Sequence, residues 1–436
     1  MVRGPATPFL NESEHPTRQH WLILGLCWAG WLFDFYDLML FSFLLVPIQK
    51  SLALGENELS LLLGTSLAAT ALGGIAFGAL ADRFGRRSVL AWTILVYSAG
   101  TLLCGIAGGV ASLLAARIVT GLGVGGEWAT GQTLVGETFA ARTRARYAAL
   151  MQTGAPLGIA LAALMGGFAA PAFAQTLGPD WGWRACFFLS SLPALMVVVI
   201  RSSMPESDVW LAQQASGERR EHGQFAELLA APALRRSFGL ALVLALTGMS
   251  AYWFTYTWLP KYLYDQLSFS MARSGTWLLV TQVGGFLGYL GFGALADRLG
   301  RRIAYSAFSL VWAIGLLAVT LFWSAIAAWP ALTLGFMFLV GLGTGTFSGY
   351  GPIFTELFPT KVRNTAMGTA FNVARGVQFL TPFVITRVAA RYGLAGGISL
   401  AAFFALFTGA WVWLLPETRG VRVTAGESAP KLPGCS

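Results

Sequence analysis

Five ionisable side chains stand inside long apolar stretches of this 436-residue sequence: Asp34, Asp37, Arg117, Glu127 and Arg375. Asp34 and Asp37 fall three residues apart in WLFDFYDLML, residues 31–40. On a helix that spacing puts both acids on one face. Two acids so close repel when both are ionised, and burial also disfavours charge. Such a pair suits a group that must take up and release a proton near neutral pH. The competing role is bracing, with one aspartate paired to Arg117, and the residues leave open which acid would carry the proton. Glu127, ten residues along from Arg117, is a second candidate, with a structural hydrogen bond as its alternative. Arg375 offers different chemistry. A guanidinium stays charged and meets a carboxylate through two parallel N–H donors, so a lone buried arginine needs an anion. That anion is either a carboxylate substrate or a permanent protein partner. Asn372 and Gln378 lie about one turn to either side and add neutral donors. Gln152, Tyr256, Gln282 and Tyr350 are further polar candidates, each equally suited to holding helices together.

The elements that must position these groups are membrane helices. The chain is 56% hydrophobic and 11% charged, with a mean hydropathy of +0.63. Apolar stretches of about 20 residues follow one another, each long enough to cross a bilayer as a helix. They are continuously apolar rather than alternating, which argues against barrel strands. The pattern predicts an all-α integral membrane protein with twelve transmembrane helices, at roughly 21–48, 57–80, 88–108, 110–137, 146–172, 182–202, 237–263, 272–296, 302–323, 329–356, 364–391 and 396–415. A polar tail, 1–20, precedes a six-helix bundle, 21–202. A linker, 203–236, joins it to a second bundle, 237–416, and a tail, 417–436, follows. The linker carries Pro205, Glu206, Asp208, Glu218, Arg219, Arg220, Glu221, Arg235 and Arg236. The tail 1–20 lacks the pattern of a signal peptide. Basic residues crowd the gaps after helices 2, 4, 8 and 10, whereas the other side has scattered cations such as Lys50, Lys261 and Arg273. The positive-inside rule then puts both termini and the linker in the cytoplasm. The net charge of +9 therefore speaks for topology and not for nucleic acid. The four cysteines show neither pairing nor metal spacing, and three lie in apolar runs as small hydrophobes. No P-loop, metal motif or nucleophile–base cluster is present, and His15, His20 and His222 fall outside the expected spans, which argues against an enzyme.

An internal repeat ties the halves together. GALADRFGRR at 78–87 returns as GALADRLGRR at 293–302, nine of ten letters matching at an offset of 215. VGETFAARTRA from Val135 aligns with FTELFPTKVRN from Phe354 at an offset of 219, matching Glu137 to Glu356 and Arg144 to Arg363. Parallel repeats around a central pathway are one architecture of secondary transporters. The doubled loop motif resembles the signature of the major facilitator superfamily. Arg117-x-x-x-Gly121-x-Gly123-x-Gly125-Gly126 resembles that superfamily's second motif, and Pro416-Glu417-Thr418-Arg419-Gly420 is similar to the ending of many members. The resemblance covers about residues 20 to 420. Gly125-Gly126-Glu127-Trp128 and the helix 1 acids look most like the proton-coupled organic-acid symporters for sialate, lactate, aromatic acids and other metabolites. Gly154-Ala-Pro156-Leu-Gly158 only partly matches the motif of drug/proton antiporters.

The resemblance implies two six-helix, pseudo-symmetric halves that rock about a central site, with Asp34 and Asp37 facing a water-filled cavity. It also implies a cytoplasmic gate at the loop motifs. Its residues are Gly78, Asp82, Arg83, Gly85, Arg86 and Arg87 in the first half, and Asp297, Arg298, Gly300, Arg301 and Arg302 in the second. Glu137, with Arg87 or Arg146, and Glu356, with Arg302 or Arg363, are expected to form matching clusters, and Arg144, the repeat match of Arg363, belongs to the same gate. The arginines also set topology on their own. Mapping by the 219-residue offset places Phe336 opposite Arg117 and Pro156 opposite Arg375. Neither arginine is duplicated, as expected of residues specialised to the pathway.

The reading that follows is a monomeric carrier in a cell membrane, in keeping with a bacterial inner membrane from the short loops and the alanine- and arginine-rich composition. It imports a small organic anion with protons, contacts lipid and needs no cofactor. The alternative is a proton antiporter that exports amphipathic or cationic compounds, using the helix 1 acids to bind the cation; Arg375 argues against it. A third possibility, a transporter-like sensor, would add a long tail, and the tail after Glu417 is short. The substrate's identity and the choice between proton and sodium are left open.

Overall fold

The computed structural model describes residues 9–216, 224–265 and 271–424, and these residues form helices without strands. Glu218, Arg219, Arg220, Glu221, His222 and Cys435 lie outside the described residues, as do the side chains of Lys261 and Arg273. The first half comprises α1 (Arg18–Leu52), α2 (Glu56–Phe84), α3 (Arg86–Ile106), α4 (Val110–Thr138), α5 (Arg144–Leu177) and α6 (Pro179–Ser203). The second comprises α7 (Pro232–Asp265), α8 (Met271–Leu299), α9 (Arg301–Thr320), α10 (Pro330–Leu357), α11 (363–392) and α12 (394–414). A continuous helix over Arg363–Leu414 would be 52 residues long, about 78 Å and more than twice the bilayer core. Gly393, at φ 71°, breaks it into two crossings. Twelve crossings result among the described residues. The described part of the linker between the halves holds two short helices, Asp208–Ala215 and Gln224–Ala230.

The helices start earlier than hydropathy alone suggests, because their polar ends project past the apolar core. His20 illustrates this. It lies in the first turn of α1 rather than outside the spans, its ring nitrogen receiving the Thr17 N–H at 3.1 Å.

Two tight corners turn the chain where the repeat lies. Gly85 and Gly300 sit at φ 97° and 105°, a region that side chains with a Cβ rarely enter. Inside each half, α2 packs against α4 and α8 against α10. A Cβ at Gly125 would lie 2.5 Å from the Gly74 nitrogen, and one at Gly341 only 2.9 Å from that of Gly285. Small residues thus let these helix pairs touch backbone to backbone. The halves meet mainly along α2 with α11 and α5 with α8. The outer surface is apolar, with Phe168, Val198 and Phe383 about 70% exposed, as a lipid-facing surface requires.

Candidate functional site

The end of the bundle that carries the arginine loops is closed by two related clusters. In the first, Asp82 pairs with Arg86 at 3.2 Å. Its two oxygens also accept the backbone N–H groups of Asn364 and Thr365, at 3.1 and 2.8 Å, and the Thr365 hydroxyl at 2.7 Å. Asp82 of the first half therefore caps the N-terminus of α11 in the second, where a negative charge is favoured. Asp297 does the reverse. It pairs with Arg301 at 3.1 Å and accepts the N–H groups of Ala145 and Arg146 at the start of α5, at 3.2 and 3.1 Å.

The glutamates of the repeat are crossed in the same way. Glu137 binds Arg86 at 3.0 Å and also Arg363 of the opposite half. Glu356 binds Arg301 at 2.8 Å and Arg144 of the opposite half at 2.9 Å. This corrects the expected partners. Arg87 and Arg146 do not serve Glu137, and Arg302 and Arg363 do not serve Glu356. Arg87 and Arg302 instead turn to the ends of the two halves, their guanidinium groups donating to the Met204 carbonyl at 3.1 Å and to the Leu415 carbonyl. Arg83 and Arg298 are exposed at the rim. Gly78 lies where α2 crosses α11, a Cβ there falling 2.8 Å from the Asn364 carbonyl oxygen.

Two further residue pairs complete the clusters and were not anticipated. Glu206 accepts the N–H groups of Arg86 and Arg87 at the start of α3, and Glu417 those of Arg301 and Arg302 at the start of α9. The next residues, Ser207 and Thr418, donate to Glu137 at 2.5 Å and to Glu356 at 2.6 Å. The signal was present: Pro205-Glu206-Ser207 and Pro416-Glu417-Thr418 stand at an offset of 211, one at the end of each half. Burial pushes the Glu206 carboxyl above its ordinary value.

Near the middle of the bundle the two helix 1 aspartates part company. Asp37 meets Arg117 at 3.1 Å and accepts the Thr101 hydroxyl at 2.5 Å. Arg117 also donates to Ser66 at 3.1 Å and lies 4.4 Å from the centre of the Phe41 ring. That pair braces α1 against α3 and α4, and Arg117 already has its anion. Asp34 is fully buried, and neither of its oxygens has a hydrogen-bond partner among the described residues. The same holds for both oxygens of Glu127. Asp34 lies within electrostatic reach of Arg375 and of Asp37, and Glu127 within reach of Asp34. Arg375 is 3% exposed, its carbon Cζ lies 5.5 Å from the Phe35 ring centre, and its Nη2 has no partner among the described residues.

A cavity of about 310 Å³ lies beside this group, on the side away from the arginine loops. Phe35, Phe41, Ser66, Arg117, Tyr252, Trp253, Tyr256 and Gln282 are among its walls. Tyr256 and Gln282 thus stand at the cavity, as does Trp253. Three other polar candidates do not. Gln152 accepts from the Trp128 ring nitrogen at 3.2 Å and from Gln132 at 3.3 Å. The Asn372 amide donates to the carbonyls of Gly125 and Gly368, at 2.8 and 3.0 Å. Gln378 donates to Ala374 at 2.9 Å and accepts from Thr381 at 3.0 Å. Gln152 and Asn372 thus tie α5 and α11 to α4, and Gln378 bonds within α11; none of the three is among the cavity's walls. Tyr350 is fully buried against aromatic rings, 5.9 Å from Phe371, with its hydroxyl unpartnered among the described residues. Between the central acids and the arginine loops, Trp128 stacks on Phe371 of the opposite half, ring centres 3.6 Å apart.

With this geometry in hand, comparison with known proteins is informative. The family model "Major Facilitator Superfamily" matches residues 27–291, and "Sugar (and other) transporter" matches 238–356 and 349–427. The "Probable 4-methylmuconolactone transporter" of Cupriavidus pinatubonensis is 32% identical over 403 residues, covering 91% of this chain and 90% of that protein. The sialic acid transporter NanX of Escherichia coli is 29% identical over 91% of this chain and 92% of its own. The solved structure of the proton:xylose symporter XylE matches with a TM-score of 0.71 at 19% identity, over 92% of this chain and 97% of that one. The doubled loop motif, the paired six-helix halves and these matches agree: the chain belongs to the major facilitator superfamily of membrane transporters, and is not an enzyme.

Proposed function

We propose that the protein is a proton-coupled symporter that imports a small organic anion. The observation that carries this is Arg375, a buried guanidinium against Phe35 of the cavity wall, its Nη2 unpartnered among the described residues and the guanidinium within electrostatic reach of an acid, Asp34, that makes no hydrogen bond among them. Relatives named for 4-methylmuconolactone and sialic acid transport support an organic-acid substrate, and the proton:xylose symporter supports protons as the coupling ion. With the arginine loops in the cytoplasm, as the positive-inside rule requires, the cavity faces outward. In the empty carrier an ionised Asp34 supplies the counter-charge for Arg375. A substrate carboxylate needs that same guanidinium, and protonation of Asp34 releases it. Substrate and proton therefore load together. Neutralised in this way, the site can pass through the apolar bundle while the halves rock and the cytoplasmic clusters part. Asp37 and Arg117 keep each other neutral and hold α1 throughout.

The test is proton uptake by proteoliposomes offered a panel of small carboxylates. One acid is expected to drive alkalinisation of the outer medium. Arg375→Gln should weaken its binding by about 10- to 100-fold, the loss of one or two charge-assisted hydrogen bonds. Asp34→Asn should leave exchange of bound substrate intact while abolishing proton-driven accumulation. Movement of lipophilic cations but of no acid would overturn the reading.

A further inference from the structure

The geometry points to one shared proton site built from Asp34 and Glu127, with Gly30 as the residue that positions Glu127. The inference deepens the symport reading and rests on its assignment of the proton to the α1–α4 interface. Glu127 is fully buried at a point where α4 faces α1, and its carboxylate occupies the space left by the missing side chain of Gly30. A Cβ at Gly30 would fall on Oε1 and lie 3.2 Å from Cδ. Gly30 and Asp34 are one turn apart on α1, so the carboxyl groups are neighbours on one helix face. All four of their oxygens are buried without a hydrogen-bond partner among the described residues. Two ionised carboxylates cannot persist in such a place, whereas two carboxyls that share one proton supply each other with the donor that neither finds elsewhere. The other titratable or charged groups that face the pair are Cys27 and Asp37 on α1, Tyr97 on α3 and Arg375 on α11. Of these, Asp37 is committed to Arg117, and Arg375 alone carries positive charge.

The site is tested without any substrate. Dicyclohexylcarbodiimide reacts with protonated carboxyls in apolar surroundings, and mass spectrometry of the purified full-length protein reads which residue is modified at each pH. Asp34 and Glu127 are expected to accept the label, with one label per chain between them. In Glu127→Gln the pH of half-labelling at Asp34 should fall by about one unit or more, because the negative neighbour is gone. Gly30→Ala should give a fall in the same direction. The group it displaces is the end of a flexible side chain, so the carboxylate moves and the helices stay. Gly25, on the same helix with open space around it, is the control, and Gly25→Ala should leave the midpoint unchanged. An unchanged Asp34 midpoint in Glu127→Gln, or abundant chains carrying both labels, would overturn the shared site. Equal shifts in Gly30→Ala and Gly25→Ala would overturn the positioning role. If Gly30→Ala does not fold, Glu127→Gln alone decides the shared site, and Gly30→Ala combined with Glu127→Asp, whose shorter side chain leaves the Cβ room, decides the positioning role: the Asp34 midpoint should then equal that of Glu127→Asp alone, and a further shift would overturn that role. Labelling is independent of transport, so failure of the anion panel and failure of this site are separate results.

Discussion

Asp82→Asn is expected to tip the carrier toward opening at its arginine-rich face. The aspartate joins the halves through three hydrogen bonds, from Asn364 N–H, Thr365 N–H and the Thr365 hydroxyl, at 3.1, 2.8 and 2.7 Å. Opening must break all three. An asparagine keeps one acceptor and turns the other into a donor facing a donor. The loss of one charge-assisted bond is about 1.5–3 kcal/mol, and the lost charge at the α11 N-terminus adds about 0.3–1 kcal/mol. Taking about 2–3 kcal/mol as the net change, the ratio of open to closed forms rises about 30- to 150-fold. Asp297→Asn should do less. Asp297 caps α5 with two longer bonds, 3.2 and 3.1 Å, has no hydroxyl partner from the opposite half among the described residues, and meets the half-exposed Arg146 guanidinium only at 3.5 Å, an exposed pair that adds little. It is also 8% exposed where Asp82 is fully buried, so about 1–1.5 kcal/mol, or about tenfold, is expected. Spin labels at Arg83 and Lys361, accessible positions in opposite halves, would report the distance distribution by double electron–electron resonance, with Cys435 replaced and the buried Cys27, Cys104 and Cys186 retained. Transport should slow while substrate affinity changes little. Equal shifts for the two variants, or none for Asp82→Asn, would refute the reasoning.

Other expectations are more direct. Arg117→Ala should lower the thermal stability of the purified protein by an amount near about 3–5 kcal/mol, because it strands Asp37 in the interior. The double change Arg117→Gln with Asp37→Asn should recover most of that loss, and a cycle of unfolding midpoints checks it. Arg375→Gln should cost less than Arg117→Ala, because Asp34, which no hydrogen bond among the described residues ties to its ionised form, can take up a proton once its counter-charge is gone. Glu206 provides a pH test. Burial raises its carboxyl from the ordinary value of 4.5, so the folded protein holds this proton more tightly than the unfolded chain does. Its contribution to stability is then fully present at low pH and is lost as pH rises through the folded value. Glu206→Gln should flatten that part of the stability profile above pH 4.5 in thermal unfolding, and an unchanged slope would count against the buried-carboxyl account.

The helices were legible because lipid demands continuous apolar stretches, and the corners because Gly85 and Gly300 recur with their motif. The break between α11 and α12 was legible for a similar reason: the polar, glycine-containing run around Gly393 interrupts the apolar stretch. Partners were harder. Spacing along α3 does not say whether Arg86 or Arg87 reaches Glu137; that depends on which face of α3 turns inward and on what the other half brings. Asp34 and Asp37 were expected to share a face toward a water-filled cavity, yet about 60° separates them around the helix axis, both are buried, and neither is among the cavity's walls. That angle sends Asp37 toward α3 and α4, where Thr101 and Arg117 wait, and leaves Asp34 facing α11. Gln152 and Asn372 looked like ligands because polar side chains in a membrane need partners. Gln152 proved to meet Trp128 and Gln132 of α4, and Asn372 the Gly125 carbonyl of α4 besides Gly368 on its own helix; the contacts to α4 are ones that one-dimensional spacing does not encode.

The exchange of charges between the halves bears on how the molecule is made. Synthesis proceeds from the amino end, so α1–α6 enter the bilayer before Asp297, Glu356 and Arg363 exist. During that interval the first half carries Arg144 without its glutamate, an uncapped start of α5 and a Glu137 lacking one of its two arginines. Each defect is cured only when a residue of the later half arrives: Asp297 caps α5, Glu356 pairs with Arg144, and Arg363 completes the Glu137 cluster. A chain cut short before Arg363 therefore keeps uncompensated charge at one membrane face. That is a mark of incomplete assembly which a membrane protease or insertase could read without any contact to the transport site.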